Sequence, residues 1–296
     1  MNSANEAPRV VVIGGANVDI QGRVSSAALV GESNPGRVTR SAGGVGRNVA
    51  HRLALIGVDT TLITAIGDDE DGRWLASVTS DAGVDLGRVI WSQQRTATYL
   101  AVLDENGEMV LAVSDMAVLT DLDVGAIEAR AAIVDAADAV VVDCNLDEST
   151  LGAVAGRGRP LFVDPVSAAK APRIDGVLDR VHTIKPNVAE LAALTGRAVE
   201  TDAAIEAAAT SLVDRGVDRV VVSLGRHGVV VVDSSGAITR HASTASGSVA
   251  SVTGAGDALL GGLVAAHVRG ADPATAVQTA LDVAADAITS TGAVAD

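Results

Sequence analysis

The chain has 296 residues, a hydrophobic content of 48% and a formal net charge of −15, and its sequence pI near 4.6 argues against gripping nucleic acid or an anionic membrane by bulk electrostatics. A single cysteine, Cys144, excludes an intrachain disulfide framework and a cysteine-based zinc cluster. The polar start "MNSANEAPR" has no apolar signal region, and no stretch sustains the roughly 18 apolar residues of a membrane helix, so the expectation is a cytoplasmic protein with neither nucleic-acid nor membrane partner.

After a flexible tail over 1–8, "RVVVIGG" (9–15) is a β-branched run ending in glycines, the pattern of a buried parallel strand feeding a loop. "GGANVD" (14–19) lacks the third glycine of a dinucleotide fingerprint, and Asp19 follows at once. "GGVGRN" (43–48) opens the helical "NVAHRLALIG"; either close approach of a ligand or a plain turn accounts for its glycines. "TTLITAIG" reads as a strand and "DGRWLASVTSDAG" as a helix. The segment 96–113 then alternates on both sides of "DENG", a hairpin turn. With the stretch over 18–42 it forms either a small lid sheet or an ordinary edge hairpin.

Strands are next expected at "AVVVD", "LFVDP", "VHTIK" and "RVVVSLG", mostly separated by helical stretches. That alternation predicts an α/β fold with a doubly wound, mostly parallel sheet flanked by helices. Ligands then bind at the carboxyl ends of the strands. "PATAVQTALDVAADAITSTG" reads as a closing helix that ends at Gly292.

Two helix starts carry chemistry. In "KPNVAELAAL", Asn187 and Glu190 are three apart and share one face, which suits a capping box or oxygen ligation of a magnesium ion. In "VTGAGDALLGGL", Gly254 and Gly256 permit a turn that presents the amides of Ala255, Gly256 and Asp257. Thr253 is the candidate N-cap, and Asp257 either complements the helix dipole or accepts a proton beside a bound phosphoryl group. No phosphate-binding G-x-x-x-x-G-K-[ST] loop occurs.

In their order along nearly the whole chain, "GGANVD", "GGVGRN", "KPNVAE", "VVSLGRHG" and "VTGAGDALLGGL" resemble the ribokinase-like, or PfkB, carbohydrate kinases. Within that family, "TATYLAVLDENGEMVLAVSDM", "DCN", "VDPVSAAK" and "HTIKPN" resemble the branch acting on pseudouridine more than ribokinases, fructokinases or adenosine kinases. The resemblance implies a ribokinase-like domain over 9–296 with lid strands from about 18–42 and 96–114. It also implies ATP-dependent phosphorylation of the 5′-hydroxyl of that nucleoside, with Mg²⁺ as cofactor. Asp257 then matches the catalytic base, and Gly254, Ala255 and Gly256 the anion hole.

By the same resemblance Asp19, Gly43, Gly44 and Asn48 hold the sugar, with Asn145 as a further contact. Asn187 and Glu190 serve the metal through water, and Asn187, Ser223, Gly225, Gly228, Gly254 and Gly256 the nucleotide. A base with an extra N–H donor is read by groups that accept from it; the candidates are Asn17, Asp115 and the backbone near Thr98 and Tyr99. For Asp115 a turn cap is the alternative. Val45 stands where ribokinases often carry lysine, and Ser251 where they place an acid near a monovalent-cation site, which leaves K⁺ activation in question. Arg47 and Lys185 either offset phosphate charge or sit on the solvated surface. Two alternatives remain, another sugar or nucleoside kinase of the family and a non-catalytic sugar-binding regulator. Exposed lid strands suggest a homodimer.

Overall fold

The computed structural model describes residues 7–245 and 254–289. Strand β1 (Arg9–Ile13) leads into β2 (Asn17–Val24) and β3 (Gly36–Gly43), followed by α1 (Val45–Leu55), β4 (Asp59–Ile63), β5 (Ala65–Gly67) and α2 (Glu70–Ser80). Next come β6 (Ile90–Ser92), β7 (Thr98–Leu103), β8 (Met109–Asp115), the short helices α3 (Val124–Glu128) and α4 (Ala131–Asp135), β9 (Ala139–Asp143), α5 (Glu148–Ala155) and β10 (Leu161–Asp164). The remainder is β11 (Thr183–Ile184), α6 (Val188–Thr195), α7 (Asp202–Val213), β12 (Arg219–Ser223), β13 (Val229–Asp233), β14 (Ile238–His241), α8 (Ala255–Val268) and α9 (Pro273–Thr289).

Eight strands form the central sheet in the order β14-β13-β12-β11-β10-β9-β1-β4. All neighbours from β12 to β4 run parallel, and β13 is antiparallel to both its partners. The valine runs follow from this placement, because a strand covered on both faces has no side to leave polar. Along β9, Val140 and Val142 enter one core layer with Leu151 and Leu191, while Val141 enters the other with Phe162 and Leu260. Each such buried aliphatic side chain contributes about 1.5–3 kcal/mol.

A separate four-stranded sheet has the order β3-β2-β7-β8. Its hairpin turn is built as the "DENG" sequence suggests: Asp104 Oδ1 accepts from the amides of Asn106 and Glu108, both at 2.8 Å. The fold class therefore agrees with the sequence reading, including the small sheet. The antiparallel pair β13–β14 was not foreseen. "VVVVD" follows β12 after only a short glycine turn, so a reading built on alternating strands and helices passes over it. Gly292, the expected end of the closing helix, lies outside the described residues.

Candidate active site

The carboxyl ends of β1 and β9 meet at a buried carboxylate. Asp143 Oδ2 accepts from the amides of Gly15 and Gly46, each at 2.8 Å, and Oδ1 accepts from the amide of Asn145 at 2.9 Å. The residue is 1% exposed, and burial raises its carboxyl above the usual range. Glycine is required around it. A Cβ on Gly14 would stand 2.4 Å from Asp143 Oδ2, and one on Gly44, at φ 96°, would stand 2.5 Å from the Gly15 carbonyl oxygen. The loop after β1 and the loop before α1 thus cross at backbone-to-backbone distance over one acid, which is why both carry paired glycines.

This crossing brings the expected sugar-site residues together. Asn17 Nδ2 donates to Asp19 Oδ1 at 2.6 Å, and Gly43 leaves room for Asp19, whose Oδ2 would lie 2.1 Å from a Cβ there. Burial raises Asp19, with Asn17 and then Arg47 pulling it back. Arg47 is 4% exposed, its Nε on Thr79 Oγ1 at 3.2 Å, and Lys185 is equally buried. The solvated-surface alternative for these two cations is therefore overturned: each has buried polar partners, and Lys185 pairs with Asp164 at 3.2 Å. Asn145 stands on the far side of Gly15, where a Cβ would meet its Nδ2 at 2.7 Å.

The opposite wall is the first turn of α8. Gly254 is its N-cap at φ 82°, a left-handed conformation natural to glycine, and offers no side-chain cap. Thr253, the expected cap, and Ser251 lie outside the described residues. Helix geometry leaves the first-turn amides without intrahelical partners, so those of Ala255, Gly256 and Asp257 are available to an anion. Asn48 Nδ2 donates to Asp257 Oδ2 at 2.9 Å, across 209 residues of chain.

Asp257 itself is half-buried. Burial, followed by the charge of Asp164, pushes it up to about 7, against the pull of Asn48 and Lys185. The Lys185 ammonium runs beneath the turn, 3.1 Å from where a Cβ on Gly256 would sit. Burial pulls Lys185 down, but Asp164, Glu190 and Asp257 together hold it above the usual lysine range.

Asn187 caps α6 and forms the reciprocal box, with Asn187 Oδ1 accepting from the Glu190 amide and Glu190 Oε2 from the Asn187 amide, both at 2.9 Å. Burial raises the Glu190 carboxyl. The box uses one oxygen of each side chain, and a carboxylate has further lone pairs to give. Among the described residues no group of three acids, histidines or cysteines is arranged around one point. Asn187 and Glu190 offer oxygen ligands, which fits a magnesium ion held by few side chains, several waters and substrate phosphates.

Beside α6 opens a cavity of about 1040 Å³ lined by Asn187, Ser223, Gly225, His227 and Ile205, among others. Gly228 is absent from that lining. Its φ of 88° lets the chain turn into β13, where a Cβ would stand 1.9 Å from the His241 carbonyl oxygen.

By register Thr98 stands opposite Val18, Asp115 opposite Thr98 and Tyr99 opposite Asp19, so the side chains of Thr98 and Asp115 occupy the other face of the small sheet from Asp19, while the backbone of Thr98 and Tyr99, the base-reading candidate there, adjoins β2. Asp115 Oδ1 accepts from the Ala117 amide at 3.4 Å, the turn-capping contact. Tyr99 points its hydroxyl to Met109 Sδ, 3.6 Å away. The sequence reading assigned nothing to Asp143 and Asp164. Their signal was present, since each is an acid closing an apolar run at the carboxyl end of a predicted strand.

The model of the pfkB family carbohydrate kinases matches residues 7–296. A pseudouridine kinase of Escherichia coli is 35% identical over 278 residues, covering 93% of this chain and 88% of that protein. An uncharacterized sugar kinase of the same species, YeiI, is 37% identical over 263 residues, covering 88% and 72%. Among solved structures, a ribokinase of Arabidopsis thaliana complexed with ribose and ATP superposes with a TM-score of 0.82 at 25% identity, covering 97% of this chain and 95% of that one. A carbohydrate kinase of Agrobacterium tumefaciens gives 0.81 at 29% identity, covering 97% and 92%.

Proposed function

Because the chain belongs to the pfkB family of carbohydrate kinases, we propose that it transfers the terminal phosphoryl group of ATP to the 5′-hydroxyl of pseudouridine, giving pseudouridine 5′-phosphate and ADP. One observation carries the chemistry: Asn48 Nδ2 holds Asp257 Oδ2 at 2.9 Å, so the glycine loop beside Asp19 and the anion-attracting end of α8 share one carboxylate. The name of the E. coli relative supports the nucleoside.

Asp257 takes the proton of the attacking hydroxyl, and its elevated pKa suits a base working near neutral pH. The amides of the turn over 254–257 face the charge that develops on the phosphoryl oxygens, with the buried Lys185 ammonium beneath them. Asp19, seated against Gly43 and held by Asn17, binds ribose hydroxyls together with Asn48 and Asn145. The nucleotide occupies the cavity beside Ser223 and Gly225. A magnesium ion, held by Asn187 and Glu190 through water, supplies charge neutralisation on the phosphates when bound. The small sheet closes over the sugar, and its apolar face suits pairing of two subunits; no residue is assigned to a potassium ion.

A second reading, a kinase of a free sugar, is favoured by the 37% identity to YeiI. ADP release measured with pseudouridine, uridine, ribose and fructose offered separately decides between them. The nucleoside reading expects pseudouridine to give the highest kcat/KM. Preferential turnover of ribose or fructose discards it.

A further inference from the structure

By register Tyr99 and Asn17 share the Asp19 face of the small sheet and the side chains of Thr98 and Asp115 do not, so a contact beyond that sheet can complete the reading of a base. A cavity of about 610 Å³ lies directly beyond Asn145. It is lined by Met116 and Leu119, where the chain leaves the small sheet, by Asn145 and Asp147, and by Lys170 and Arg173. Asn145 belongs to both spaces, touching Gly15 on one side and this cavity on the other.

The cations here are built in. Arg173 Nη1 donates to the carbonyl oxygens of Cys144 and Asn145, both at 3.0 Å, which fixes the turn after β9. Lys170 Nζ donates to Asn145 Oδ1 at 2.5 Å. An ammonium has three donors and no acceptor, so this contact turns the amide oxygen of Asn145 toward Lys170 and its Nδ2 toward Gly15. It also leaves Lys170 donors for a ligand in the cavity it lines. Of the two acids in the lining, Asp147 is engaged, its Oδ1 capping α5 through the amide of Thr150 at 2.7 Å, while Glu148 opens α5. Cationic donors and the apolar Met116 and Leu119 in one lining suit a partly apolar group bearing carbonyl oxygens.

We infer that this cavity takes the aglycone of the substrate and that Lys170, steadied by Asn145, reads a carbonyl oxygen on it. The inference rests on the nucleoside reading above. It makes Lys170 a specificity-determining contact, distinct from the residues that hold ribose.

The test compares kcat/KM for pseudouridine with that for a ribose joined through carbon to a phenyl ring, which keeps the sugar and the shape but has no carbonyl. Wild type, Lys170→Met and Lys170→Gln are assayed at saturating ATP. Wild type is expected to favour pseudouridine about tenfold to a hundredfold, the worth of one hydrogen bond to a charged group. Lys170→Met is expected to compress that ratio below about threefold by raising the pseudouridine KM, with the ATP KM unmoved. If Lys170 served only the packing of Asn145, both substrates would fall together and the ratio would stand, which overturns the inference. A wild-type ratio near one overturns it without reference to any variant, including the case in which neither variant folds. Turnover of free sugars with no nucleoside accepted is a different outcome: the nucleoside reading fails, and this inference with it.

Discussion

The loop crossing over Asp143 and the four-stranded small sheet lie side by side and are specified in opposite ways. At the crossing, two loops approach so closely that a Cβ on Gly44 would stand 2.5 Å from a backbone oxygen and one on Gly46 would stand 2.8 Å from the backbone of Gly14. In the small sheet, Val38, Leu100, Leu111 and Val113 share one face by register and are exposed. The first region is held by contacts with no slack. The second is held by its ladder, and its outward side chains touch little of their own chain. The glycine loops and Asp143 form the first region, and β2, which carries Asn17 and Asp19, joins it to the second, whose far apolar face is exposed.

The contrast is broken most directly at Asp143. Asp143→Ala leaves three amides at Gly15, Gly46 and Asn145 without their acceptor, and at about 1–3 kcal/mol for each orphaned group the loss is expected to reach about 3 kcal/mol or more. Urea unfolding measures it, and a loss under about 1 kcal/mol would mean that the crossing is not held by this acid. Gly44→Ala comes next, because it adds left-handed strain to the overlap, and about 2–4 kcal/mol is expected by the same assay.

Acid loads the packed interior without a mutation. Burial, then Arg47 and Arg52, lower His51 to about 4, and burial, then His267 and Arg219, lower His182 to about 4. Both groups have folded pKa values below the ordinary 6.5, so the fold favours their neutral forms. That stability is fully present above about 6.5 and is lost as pH falls toward about 4. Thermal midpoints recorded across this window are expected to fall with acid, and His182→Gln is expected to flatten part of the slope. The smallest effect belongs to the small sheet: Leu111→Ser, at a residue 59% exposed, is expected to leave stability within about 0.5 kcal/mol.

These two regions also mark what could be read in advance. Valine runs ending in glycine or aspartate gave away the buried parallel strands, and alternation around "DENG" gave away the hairpin, because both patterns are local. The glycine turn before Asp257 and the capping pair Asn187–Glu190 were legible for the same reason. The partners of Asp143 were not. Its three amides come from residues 15, 46 and 145, and only the folded chain sets them around one carboxylate. The same holds for Lys170 on Asn145, 25 residues apart, and for Arg47, whose burial depends on α2 closing over it.

Asp257 is the proposed base of the phosphoryl transfer. Asp257→Asn keeps the shape of the side chain and an oxygen for Asn48, but cannot take the proton. Removing a carboxyl that the fold holds well above its ordinary pKa also relieves strain at neutral pH, since stability from such a group falls as pH rises from about 4 to about 7. Steady-state ADP release with pseudouridine, run beside a thermal unfolding curve, is the direct measurement. A kcat lower by about 10² to 10⁴ is expected, with an unfolding midpoint equal to or above that of wild type. A kcat within about tenfold of wild type in a folded Asp257→Asn protein would contradict it.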